Sequence, residues 1–116
     1  MSRALLTAQE LFGLFELDAV GTVLYYRSEP SLEPGAASPE TAGHNFYDEV
    51  APFENVDEFR SCVTVFTAGV KLADSFNFEC RYEDSAHSVK VLMARISEEV
   101  NRSNTKSVLV HFRRAA

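Results

Sequence analysis

Side chains able to do chemistry are few in this sequence, and their spacing sets up no familiar reaction. Cys62 and Cys80 are isolated thiols with no Cys-x-x-Cys pair, and the histidines His44, His87 and His111 are widely separated. A catalytic nucleophile needs a base beside it and a third group to orient that base. Ser61-Cys62, His87-Ser88 and His111 supply the atoms, but no spacing that implies a triad. No run of His, Cys or Asp has the spacing of a zinc site. With five scattered glycines, neither GxGxxG nor GxxxxGK[ST] occurs, so a phosphate cradle is missing. The acidic pairs Asp48-Glu49, Asp57-Glu58, Glu83-Asp84 and Glu98-Glu99 fall at helix starts or in loops, where capping and solvation account for them. The expectation is a protein that is not an enzyme.

Whatever these residues do, one small fold must position them. A chain of 116 residues builds one core. Nine Phe and four Tyr supply large rings to fill it. The formal charge of -6 disfavours nucleic acid and anionic membrane surfaces, both of which need clustered Lys and Arg. No apolar run nears the ~20 residues that span a bilayer, and the start of the chain turns polar too early for a signal peptide. Two unpaired thiols then favour a reduced, cytoplasmic protein.

Apolar periodicity orders the elements. Residues 2–10 read as a short amphipathic helix or cap with Ser2 at its N-cap, preceding a domain over residues 11–114. Residues 11–17 and 22–26 read as a hairpin around Asp18-Ala19-Val20-Gly21. Residues 28–43 hold three prolines, with one helical turn at Ser38-Pro39-Glu40-Thr41. Asn45 caps a short helix that ends before Pro52. Residues 56–70 form the main helix, capped by Asp57, with Phe59, Cys62, Val63, Phe66 and Val70 on its apolar face. Phe76, Phe78, Cys80 and Tyr82 alternate strictly along a third strand. Residues 89–96 and 108–112 are the last two strands, with a long polar loop over 98–106. The sum is an α+β fold: a five-stranded antiparallel sheet with helices on one face and an N-terminal helix.

That order resembles the PAS fold, and the residues are similar to its photoactive-yellow-protein branch. Gly43-His44-Asn45-Phe46-Tyr47-Asp48-Glu49-Val50-Ala51-Pro52 resembles the branch's G-K-N-F-F-x-D-V-A-P segment. The similarity continues through Asp57-Glu58-Phe59, Ala68-Gly69, Phe76-Asn77-Phe78, Val89-Lys90-Val91 and Val110-His111-Phe112-Arg113-Arg114. It covers residues 11–114. In that branch a cysteine after Val-Ala-Pro carries a thioester-linked coumaroyl chromophore; here that position is Phe53, whose ring has no nucleophile. The Tyr and Glu that bind the chromophore phenolate fall at Tyr26 and Pro30, with Glu29 one residue away, and the covering Arg falls at Ala36. The resemblance implies a PAS sensory or relay domain in signal transduction, acting through homodimer or partner contacts without a covalent chromophore.

The alternative is a sensor holding a small ligand or haem non-covalently between sheet and helices. Its expected pocket is Tyr26, Phe46, Val50, Phe53, Phe59, Cys62, Val63, Phe66, Phe78 and Met93, residues that would equally serve to fill a core. Haem requires an axial His or Cys, for which Cys62, His44 and His111 are the weak candidates. A reactive Asn-Cys-Arg-Phe-type flavin motif is lacking. For the homodimer or partner interface the candidates are Leu5, Leu6, Leu11, Phe12, Leu109 and His111.

Overall fold

Alternation decides the sheet. In a computed structural model, which describes residues 4–28, 41–100 and 103–115, β1 (Gly13–Leu17) buries every second residue: Gly13, Phe15 and Leu17. It pairs with β2 (Val23–Ser28) on one side and with β5 (Ser103–Arg114) on the other. β5 pairs with β4 (Ala86–Val100), which pairs with β3 (Ala73–Arg81). All pairings are antiparallel and the order is β2-β1-β5-β4-β3. This is the open five-stranded sheet of the expected α+β fold.

One face of that sheet is covered by helix α1 (Val56–Ala68) and by the wide helical turn Phe46–Val50. Phe59, Val63 and Phe66 are the buried side of α1. Asn45 caps the wide turn, its side-chain oxygen accepting from the N–H of Tyr47 (3.0 Å) and Asp48 (3.1 Å). The turn closes with Ala51 N–H on the Phe46 carbonyl, 2.9 Å. Gly21, with φ 94°, completes the β1–β2 connection where a side chain would meet the Tyr47 ring.

Several expectations need correction. Residues 4–12 form turns in place of the predicted N-terminal helix. Thr7 and Glu10 hydrogen-bond reciprocally (2.9 and 3.2 Å) and close a single turn. The N–H groups of Leu5 and Leu6 instead bond the Glu49 and Val50 carbonyls, which fixes the segment against the wide turn. The cap of α1 is Asn55, not Asp57, and its amide ties the helix start to β3: Nδ2 donates to Glu79 O (2.8 Å) and Oδ1 accepts from Arg81 N (2.9 Å). Val70 lies beyond the helix end, 95% exposed, because Gly69 terminates α1. Of the predicted loop over 98–106, residues 98–100 and 103–106 are ladder, with β4 and β5 paired out to Val100 and Ser103. The turn predicted at Ser38-Pro39 lies outside the described residues.

Candidate functional site

The expected pocket residues do converge, and aromatic rings fill the space between them. Phe46, Val50, Phe53, Phe59, Val63, Phe66, Phe78 and Met93 all belong to the buried core. Phe53 stands 5.7 Å from Phe78, 5.9 Å from Phe59, 6.4 Å from Phe46 and 6.5 Å from Phe112, centroid to centroid. Phe46 stacks on Phe112 at 5.8 Å, and Phe15 meets both edge-on at 5.1 and 5.7 Å. Such spacings are those of rings in contact. Phe53 itself is 2% exposed.

Two members of the predicted set are only partly buried, at the margin of that core. Tyr26 packs its ring 4.7 Å from Phe15, and its hydroxyl donates to the backbone carbonyl of Glu10. Burial, with the nearby Glu10 charge, pushes this phenol up to about 12. Cys62 is partly exposed on the flank of α1, where desolvation and then the Glu58 carboxylate raise its thiol. It lines a mostly apolar groove of about 550 Å³ together with Phe66, Phe76 and Met93. Cys80 is fully buried in β3, and burial pushes it up to about 12, which leaves it unreactive.

The three haem-ligand candidates occupy separate places. His44 Nδ1 pairs with Glu49 Oε1 at 3.3 Å. The Asn45 N–H, followed by that histidine, lowers the Glu49 carboxyl. His111 alternates with the buried Val110 and Phe112 and so points to the outer face of the sheet. Cys62 is on α1, on the opposite side of the sheet. Among the described residues, no three His, Cys, Asp or Glu side chains gather as a metal would require. Glu29, Pro30 and Ala36 lie outside the described residues.

The interface candidates divide as well. Leu6 and Leu11 are core residues, 2% and 0% exposed, so they serve their own chain's packing and are unavailable to a partner. Leu5 remains 40% exposed. Phe12 is half-buried beneath the Arg114 guanidinium, 4.5 Å from its ring centroid. Leu109 and His111 line a shallow hollow on the outer sheet face with Leu14 and Leu92.

Sequence reasoning missed three contributors. Phe15 and Phe112 sit at the middle of the ring cluster, and their alternation within β1 and β5 was the available signal. Arg95 left no signal. It reaches from β4 to the C-terminal end of α1, where Nε donates to Lys71 O (2.7 Å), Nη1 to Thr67 O (3.0 Å) and Nη2 to the Phe66 and Gly69 carbonyls. The Phe66, Thr67 and Gly69 carbonyls belong to the C-terminal turn and cap of α1, where a cation suits the dipole, and the Lys71 carbonyl lies just beyond it.

No helix among the described residues is long and apolar enough to cross a membrane. A scan against protein-family models finds no match. Among curated proteins, photoactive yellow protein from Halochromatium salexigens is 32% identical over 87 residues, covering 75% of this chain and 70% of that protein. Photoactive yellow protein from Rhodothalassium salexigens is 30% identical over 84 residues, covering 72% and 67%. Together with the antiparallel sheet, its covering helix and the Asn45–Val50 turn, this similarity establishes that the chain belongs to the photoactive yellow protein family of PAS-fold proteins.

Proposed function

We propose that this chain is a non-enzymatic PAS sensory or relay domain, signalling through contacts with a second copy of itself and carrying no covalent chromophore. The observation that carries the reading is the contrast between the two sheet faces. The inner face is packed with rings at the position where the family resemblance would put a pigment, with Phe53 among them. The outer face carries Leu14, Leu92, Ala94 and Leu109 side by side across β1, β5 and β4, all partly exposed. A two-fold interface uses the same patch on both copies, so a second copy would cover this partly apolar face. Two free cysteines fit a reducing cytoplasm in a bacterial signalling setting.

A second reading has one observation in its favour. Cys62, Phe66 and Met93, three of the residues expected to hold a small ligand or haem, line the groove at the C-terminal end of α1. Sedimentation velocity over a hundredfold concentration range tests the first reading. A monomer–dimer equilibrium is expected, shifted to monomer by Leu109→Arg. A monomer at every concentration, or a dimer indifferent to that substitution, would refute self-association through this face.

A further inference from the structure

A second concavity, separate from the ring cluster and unforeseen in the sequence, lies along the other flank of α1. It measures about 490 Å³ and is bounded by the β1–β2 turn, by α1 and by the facing parts of β4 and β5. Small-molecule sites commonly occupy ~300–1,000 Å³ and combine an apolar floor with a few polar groups. The floor is Val63 and Val108, 7% and 6% exposed. Tyr47 forms a side wall, and the Arg60 guanidinium lies over its ring, 5.1 Å from the centroid.

The charges around this crevice are unequal in availability. Arg95 borders it, but its guanidinium is spent on carbonyls at the end of α1 and on that of Lys71 just beyond it. The Asp18 carboxylate is turned back onto the N–H groups of Val20 (3.0 Å) and Thr22 (2.9 Å). Among the described residues, Arg60 forms no ion pair with a carboxylate. Tyr47, its phenol pushed up to about 12 by burial, stays neutral and adds no opposing charge. A guanidinium with no carboxylate partner among the described residues, above an aromatic ring and an aliphatic floor, matches a planar acid, whose anion takes the guanidinium and whose body lies on the apolar surface.

We propose that this crevice binds a small aromatic acid, its anionic group paired with Arg60 and its ring resting on Val63 and Val108 beside Tyr47. The site is independent of the relay reading, because Tyr47, Arg60, Val63 and Val108, the residues proposed to hold the ligand, do not lie on the outer sheet face. Thr64 Oγ1 already donates to Arg60 O (2.9 Å), leaving its oxygen free to accept from a ligand hydroxyl.

The full chain is titrated with the probe 1-anilinonaphthalene-8-sulfonate, following fluorescence and backbone amide shifts. Saturable binding is expected, with shifts concentrated at Val63, Thr64 and Val108. Arg60→Gln should weaken it about tenfold, the loss expected for one charge-assisted contact. Thr64→Trp should fill the crevice and abolish it, and Val65→Thr, on a different side of α1, should leave it intact. Arg60, Thr64 and Val65 are exposed, so unchanged melting temperatures will certify folding. The proposal falls if the folded wild type shows no saturable binding, if Arg60→Gln and Thr64→Trp bind like wild type, or if the shifts cluster at Val65 and Val70.

Discussion

The ring cluster under the sheet and the crevice beside α1 are built from the same helix, yet they have opposite characters. α1 sends Phe59 and Phe66 inward, where Phe59 meets Phe53 and Phe112, while Arg60 and Thr64, one position further round, border open space. The first region is apolar, buried and filled, so its residues contribute stability and offer a ligand no room. The second keeps a cation and an apolar floor accessible. The helix periodicity separates the two, turning Phe59 and Phe66 to the packed side and Arg60 and Thr64 to the open one.

The largest expected effect breaks the filled region. Phe53→Ala should cost about 3–5 kcal/mol, the usual range for emptying a buried phenyl, measured by urea unfolding. A cost below 1 kcal/mol would mean the rings do not fill the interior. Next comes the clamp that holds the shared helix in place. Arg95→Met strips the Lys71, Thr67, Phe66 and Gly69 carbonyls of a donor and should cost ~1–3 kcal/mol, with faster amide exchange confined to the last turn of α1. Exchange that accelerates equally throughout the sheet would show that Arg95 is not a local clamp.

The smallest effect sharpens the contrast in solvation. Tyr26, Tyr47 and Tyr82 are each pushed up to about 12, with burial the leading cause. Their folded values exceed the unfolded value of 10, so the neutral form is favoured by folding. Stability from these groups is therefore complete below pH 10 and declines as pH rises from about 10 to 12. Phenolate absorbance near 295 nm checks this: these three rings should titrate near 12 in the folded chain and near 10 in urea. Titration near 10 without denaturant would show that the rings are wet.

The sheet and its inner face were largely readable because strands with one buried side must alternate. Phe76, Phe78 and Cys80 in β3 follow that rule, and their burial pattern matches. The ladder over 98–100 and 103–106 was hidden for the converse reason. Its backbone pairs by main-chain hydrogen bonds, while residues such as Glu98, Glu99 and Asn104 give no apolar alternation to mark it. The N-terminal segment has helix-compatible residues, but its N–H groups find better partners in the Glu49 and Val50 carbonyls, a tertiary contact that no local propensity encodes. The crevice was invisible because it depends on distant segments meeting: Tyr47 and Arg60 with Val108.

The claim that the family's pigment position has become packing is tested most directly by the ultraviolet–visible spectrum of the freshly purified, desalted protein. Absorption from tyrosine and phenylalanine alone is expected, with nothing above 320 nm. A visible band that survives desalting and disappears only on unfolding would contradict it, because a pigment would then occupy space that Phe46, Phe53, Phe59 and Phe112 are described as filling.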